Sequence, residues 1–191
     1  MKKLLSFPEA IDQASLDVLK SSKKNLIFGL EITNQGSKYL QAPKNQVFET
    51  PCSELSNTGL VVGLSTQNFN PTIVYGRVEF ALLAFDQILT QASRWNYMFN
   101  KKSICNANFR VQIGRQWGNG PQHTANYHSI FAQSLGLEIF IPATPEEAFY
   151  QIKYMNKLNK PCVMLEHRYL SQISQKFNLK NKNYKVDTYK F

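Results

Sequence analysis

One carboxylate stands at the head of the helix-like segment in the stretch FETPCSELSNTGLVVGL (residues 48–64), five residues after Glu49. It is Glu54, placed where a Thr-Pro turn gives way to an apolar, glycine-containing segment of helical character. An acid in the first turn of a helix complements the positive end of the helix dipole, which accounts for Glu54 without any chemistry. The same acid in a partly desolvated cleft would have a raised pKa and could handle a proton. The residues alone leave both readings open. His123 is the second candidate. It sits in GRQWGNGPQHTANYH (residues 114–128), where Gly114, Gly118, Gly120 and Pro121 dictate an irregular loop with no helix face to hide a side chain. Loop residues carry function more often than core ones, and an ordinary surface histidine fits the same pattern. His128 and His167 read as structural, the first opening a helix and the second ending a strand. Other chemical signatures are missing. The Gly-rich loop matches neither GxGxxG between strand and helix nor GxxxxGK[ST], no GxSxG elbow occurs, and no Cys/His pair has an informative spacing. The pattern speaks against a single-chain nucleophilic hydrolase.

These candidates need elements to position them. Ser6 before Phe7-Pro8-Glu9 marks a helix start, followed by Ile11, Ala14, Val18 and Leu19 at helical spacing. NLIFGLEI (25–32) predicts a buried strand, and 34–44 a polar loop. The alternation then repeats, with a strand over 47–50, a helix over 53–66, a strand over 72–78 and a long helix over 79–97. A strand over 109–114, a short helix over 128–134, a strand over 137–143, a helix capped by Thr144 and a strand over 161–167 complete it. Such alternation specifies a three-layer α/β/α fold, its mostly parallel sheet of about six strands covered on both faces. Ligands gather at the carboxyl ends of strands in such folds. Three stretches fall there: 50–54, 77–80 and 114–123. The expected domain spans residues 1–175, and the basic segment 176–191 reads as a peripheral tail.

Composition sets the outer bounds. The 191 residues suit one domain, and 43% hydrophobic content is enough for a substantial core. Only 18% of residues are charged, as expected for a surface partly covered by another chain. Twenty-two Lys and Arg against 13 Asp and Glu give a formal +9. The lysines collect toward the two ends, and no basic helix interleaved with aromatics appears, so the charge reads as solvated faces rather than a nucleic-acid site. Cys52, Cys105 and Cys162 are widely spaced beside apolar residues, and three buried thiols in a reducing compartment is the plain expectation. Two leucines after Lys2 and Lys3 are too few for a signal-peptide core, and no apolar run reaches membrane-spanning length. No membrane association and a cytoplasmic location are expected.

Taken together the motifs resemble the pyrimidine-binding domain of thiamine diphosphate enzymes, of the transketolase and 2-oxoacid dehydrogenase beta-subunit kind. Thr50-Pro51-Cys52-Ser53-Glu54 is similar to that family's TPxSE turn. Glu79-Phe80-Ala81 running to Asp86-Gln87, then Trp95-Asn96-Tyr97-Met98, resembles its (D/N)FAxxAxDQ helix ending in W/Y-x-Y-M. GPQHTANYHSIFAQSLGLEIFIPATPEEA and PCVMLEHRYL resemble its GPxHSQS and LEHRxLY segments, so the likeness covers about residues 4–170. The resemblance implies roles. Glu54 would bind the aminopyrimidine ring and favour the imino tautomer that activates thiamine diphosphate, Phe80 would pack on that ring, and His123 would face the substrate. It implies a small subunit of a split enzyme acting on a 2-oxo acid or a ketose. The diphosphate and its Mg2+ would be held by a partner chain carrying GDG…N, since no GDG occurs here. It also implies a hetero-oligomer with a two-fold arrangement. No metal site is expected in this chain.

The departures from the family pattern are specific. GLEI stands where the family has GEDV, with Leu30 at the first acid and Glu31 at the second. Val74 replaces another acid, and Gln116 and Trp117 are bulky where the family is small. These differences bear on substrate and rate more than on fold; the altered GEDV, with the second domain of beta subunits missing from the sequence, supports an alternative to the catalytic subunit: a non-catalytic assembly or binding subunit that kept the fold. A nucleic-acid binder would rest on net charge alone.

Overall fold

The computed structural model describes residues 2–115 and 118–187. Strand β1 (Lys2–Ser6) runs into helix α1 (Phe7–Ser21). Ser6 caps that helix: its Oγ accepts from the Glu9 N–H at 3.4 Å, and Glu9 Oε2 accepts from the Ser6 N–H at 2.9 Å. This reciprocal box satisfies two otherwise orphaned donors, with Pro8 fixing the first turn. Strand β2 (Asn25–Gly29), strand β3 (Val47–Glu49), helix α2 (Glu54–Thr66) and strand β4 (Asn70–Tyr75) follow.

The predicted long helix over 79–97 forms as three pieces. Helix α3 (Val78–Leu82) leads into wide π-type turns over Asp86–Ala92, then helix α4 (Ser93–Met98). The buried positions Ala81, Ala84, Ile88 and Ala92 recur at spacings that a straight helix and a locally widened one both satisfy. Apolar periodicity therefore cannot reveal the change. Strand β5 (Asn108–Ile113), helix α5 (His128–Ala132), strand β6 (Glu138–Phe140), helix α6 (Pro145–Met155), strand β7 (Cys162–His167) and strand β8 (Ser174–Asn178) complete the order.

Six of these strands make one parallel sheet in the order β3-β2-β4-β5-β7-β6. Its register aligns Phe48, Phe28, Ile73, Phe109, Val163 and Ile139 in a single row across the strands. Phe28, Ile73, Phe109 and Val163 are almost fully buried in one core with residues of α2 and α3, and Phe48 stacks on Phe28 at 4.9 Å between ring centroids. Apolar residues of α1 and α6 pack on the opposite face around Met164 and Phe140. The fold is thus the expected three-layer α/β/α arrangement.

Two expectations are corrected. The basic end is not peripheral through its described part: β8 straddles residue 175 and pairs antiparallel with β1. Phe177 is 3% exposed, and Tyr184 stacks on Tyr150 at 4.1 Å. Each strand of this pair buries a single apolar residue among lysines and polar groups, so its strand signal is faint. Cys52 is exposed, whereas Cys105 and Cys162 are buried. Cys52 lies in the turn between β3, an edge strand of the sheet, and α2.

Candidate functional site

The Thr50–Glu54 turn is fixed by backbone bonds before any side chain acts. The Thr50 N–H donates to Gly29 O at 3.0 Å, which extends the β2–β3 ladder by one step. The Ser53 N–H and the Asn57 side chain both donate to Pro51 O at 2.8 Å. The Ser53 side chain makes no cap bond, so α2 opens on Glu54 with its first turn available to the carboxylate. Below it, Thr58 Oγ1 meets both Glu54 O and the Tyr75 hydroxyl at 2.5 Å, binding α2 to β4. Tyr75 is 3% exposed, and burial pushes its phenol well above the ordinary range.

The second wall comes from the residues after β4. Phe80 lies in the first turn of α3 and leaves 38% of its surface exposed. Its ring meets the His123 ring at 5.7 Å between centroids, tilted by 44°. His123 ends a short 3-10 turn, Pro121–His123, that opens on Gly120 at a φ of 79°, a region glycine adopts freely. The loop leaves β5 at Gly114, whose φ is 113° and where an added Cβ would come within 2.8 Å of the His167 ring. Two bonds close the loop on the far side of His123: the Ala125 N–H donates to Glu79 Oε1 at 2.9 Å, and the Gly114 N–H donates to Ala125 O at 3.2 Å. His123 Nδ1 is buried and, among the described residues, has no hydrogen-bond partner. Gln116 and Trp117 lie outside the described residues.

The walls enclose a cleft of about 260 Å³ at the carboxyl ends of β2, β4 and β5. Glu54, Phe80 and His123, three residues predicted from separate stretches of sequence, all line it. Leu30, Glu31 and Val74, the departures from the family pattern, line it too. Arg77 lines it as well; desolvation, and then the nearby Arg168, hold its guanidinium below the usual range, with Glu79 opposing them. Asn57 and Asn119 also face the cleft, and no sequence signal marked either. His128 and His167 lie outside it. Burial and then the neighbouring His167 lower the His128 pKa, in keeping with a structural place for both. Among the described residues no group of three or more His, Cys, Asp or Glu could hold a metal ion. No described helix is long and apolar enough to cross a membrane.

The family model described as "Transketolase, pyrimidine binding domain" matches residues 14–172. The pyruvate dehydrogenase E1 component subunit beta of Staphylococcus aureus is 29% identical over 170 residues, covering 85% of this chain and 52% of that protein. The mitochondrial counterpart of Chaetomium thermophilum is 27% identical over 173 residues, covering 87% and 45%. A solved structure described as a split gene transketolase, inactive beta4 tetramer, superimposes with a TM-score of 0.71 at 18% identity, covering 86% of this chain and 52% of that one. The chain spans about half the length of the relatives it matches.

Proposed function

Because the chain belongs to the transketolase pyrimidine-binding domain family, we propose that it supplies the pyrimidine half of a thiamine diphosphate site to a partner chain. The observation that supports this reading is the meeting of Glu54, Phe80 and His123 in one cleft. The donor set suits a heteroaromatic ring: a carboxylate on one wall, an aromatic face on the other, and the apolar Ile73 and Val74 between them. The cofactor, when bound, supplies the carbanion chemistry that lets a carbonyl carbon be attacked and its electrons held. Glu54 would accept a hydrogen bond from the pyrimidine ring, in a cleft where exclusion of water makes one such contact strong. Phe80 would hold the ring plane. With Nδ1 buried, His123 would turn Nε2 to the cleft, toward the substrate. The substrate class is a 2-oxo acid or a ketose. The diphosphate and Mg2+ would be held outside these 191 residues, by a chain carrying GDG…N, in a hetero-oligomer.

A second reading keeps the fold without the catalysis, as an assembly or binding subunit. Leu30 and Val74 in the cleft wall favour it, and the split transketolase neighbour is described as an inactive tetramer of beta chains. One experiment separates the two. The chain is assembled with its GDG-bearing partner, and turnover with thiamine diphosphate is compared for wild type and Glu54→Gln. The amide keeps the shape and removes the charge, so the catalytic reading requires a loss of at least about 100-fold. Equal turnover removes that reading and leaves the assembly subunit.

A further inference from the structure

We propose that Glu79 is a positioning residue: its carboxylate clamps the loop that carries His123 and sets the imidazole over Phe80. The inference rests on the role just proposed for His123, but the clamp itself stands on geometry. Glu79 Oε1 accepts the Ala125 N–H at 2.9 Å, and Ala125 lies only two residues beyond the histidine. The next residue along α3, Phe80, touches the His123 ring directly. One turn of helix therefore grips the loop twice, once through the backbone and once through the ring.

The rest of the loop shows why such a grip is needed. His123 is held within its turn by one long bond, from its own N–H to Gly120 O at 3.3 Å. Among the described residues its Nδ1 meets no hydrogen-bond partner, so no hydrogen bond at that nitrogen fixes the ring. Gly118 and Gly120 precede it at positive φ, and Tyr127 follows at a φ of 38°, a costly backbone for a bulky residue. Such a segment has little conformational preference of its own. The fixed points are Glu79 on one side of Ala125 and the Gly114 N–H on the other, 2.9 and 3.2 Å away. Glu79 is itself held in place, because Val78 and Ala81 beside it are almost fully buried in the core. A charged acceptor binds a backbone N–H more strongly than a neutral one, and its reach lets it meet the loop without moving the helix.

The test reads the clamp and the chemistry separately. In the isolated chain, hydrogen exchange at the Ala125 amide is measured for wild type, Glu79→Gln and Glu79→Ala. The clamp predicts exchange about 10-fold or more faster in Glu79→Ala and an intermediate rate in Glu79→Gln, whose amide oxygen can still accept; exchange in the core strands serves as the folding control. Unchanged Ala125 exchange in Glu79→Ala overturns the clamp, whatever the protein catalyses. In the assembled complex, Glu79→Ala, His123→Ala and the double variant are compared by kcat. A residue acting through the histidine gives a double variant no slower than His123→Ala alone, and partial recovery in Glu79→Gln. Losses that multiply overturn the positioning role. Failure of the proposed function shows elsewhere, as normal turnover in Glu54→Gln, and the exchange result then still decides the clamp.

Discussion

The change Glu166→Gln should unfold this protein more readily than any comparable polar substitution on its surface. Arg110 on β5 and Glu166 on β7 are 5% and 4% exposed. Arg110 Nε donates to Glu166 Oε1 at 2.5 Å and Nη2 to Oε2 at 3.2 Å, a bidentate pair. Nη1 reaches Ser15 Oγ on α1 at 3.1 Å and the Tyr39 hydroxyl at 2.8 Å. One guanidinium thus joins two neighbouring strands, the helix above them and the loop beside it. Replacing the carboxylate by an amide keeps the volume and one acceptor oxygen but leaves a buried positive charge unneutralised. Breaking a buried pair in this way costs about 3–5 kcal/mol. The retained oxygen places the expected loss near the lower end, about 3 kcal/mol, a large fraction of the roughly 5–15 kcal/mol by which a domain is stable. With a urea m-value of about 2 kcal/mol/M, the unfolding midpoint should fall by about 1.5 M at unchanged m. The double change Arg110→Met with Glu166→Leu should recover most of that loss, because it removes the charge as well as its partner. A midpoint shift below about 0.3 M for Glu166→Gln, with m unchanged, would refute the reasoning, since the charge would then be reaching solvent.

Two further outcomes follow from burial. Asp12 lies beside this pair, and desolvation raises its carboxyl pKa, with Glu166 and Glu9 adding to the effect and Arg110 and Lys38 opposing it. The folded state therefore holds the Asp12 proton more tightly than the unfolded chain does. That contribution is fully present below the unfolded pKa of about 3.9 and lost as pH rises through the folded value. Asp12→Asn should raise Tm at pH 7 and lose its advantage as pH is lowered toward 3; a gain that persists at pH 3 would contradict the assignment. Cys52 is exposed, while burial pushes the thiols of Cys105 and Cys162 upward. A thiol reagent should titrate one cysteine in the native protein and three in denaturant, and a second fast-reacting thiol in the native state would show that one of the two sites is open.

The layers were legible in the sequence because each central strand is a short apolar run bounded by polar turns. Phe109, Val111, Val163 and Leu165 are all buried where that pattern puts them. Strand ends were less legible. The run 25–32 reads as one strand, but pairing stops at Gly29, and Glu31 turns at a φ of 59° with its N–H bound to the Glu49 carboxylate. That is a contact between residues 18 apart, which no local pattern encodes. The β1–β8 pair failed to register for a similar reason, since each strand is recognisable only beside the other. Glu54, Phe80 and His123 were found by motif, yet their convergence belongs to the parallel topology, which brings three loops together at the carboxyl ends of the strands. Glu79 stood inside a recognised motif, but its bond to Ala125 spans 46 residues and appears only in three dimensions.

The substituted residues in the cleft bear on the same question as the proposed catalysis. Leu30 and Val74 stand on its wall where the resembled family has acids, while Glu54 keeps its place at the start of α2. The difference is one of charge rather than shape, because β2 and β4 still pair in continuous register through Gly29 and Val74. Glu31 is the other carboxylate residue lining the cleft, and its left-handed backbone is set by Glu49 rather than by α2. Leu30 and Val74 in place of acids leave more apolar surface around any ring lying against that wall. In the proposed reading Glu54 then carries the acid–ring contact without support from a neighbouring acid on α2 or β4. Its loss has no substitute within reach on those elements, which is why the Glu54→Gln comparison separates a catalytic half-site from an assembly subunit so sharply.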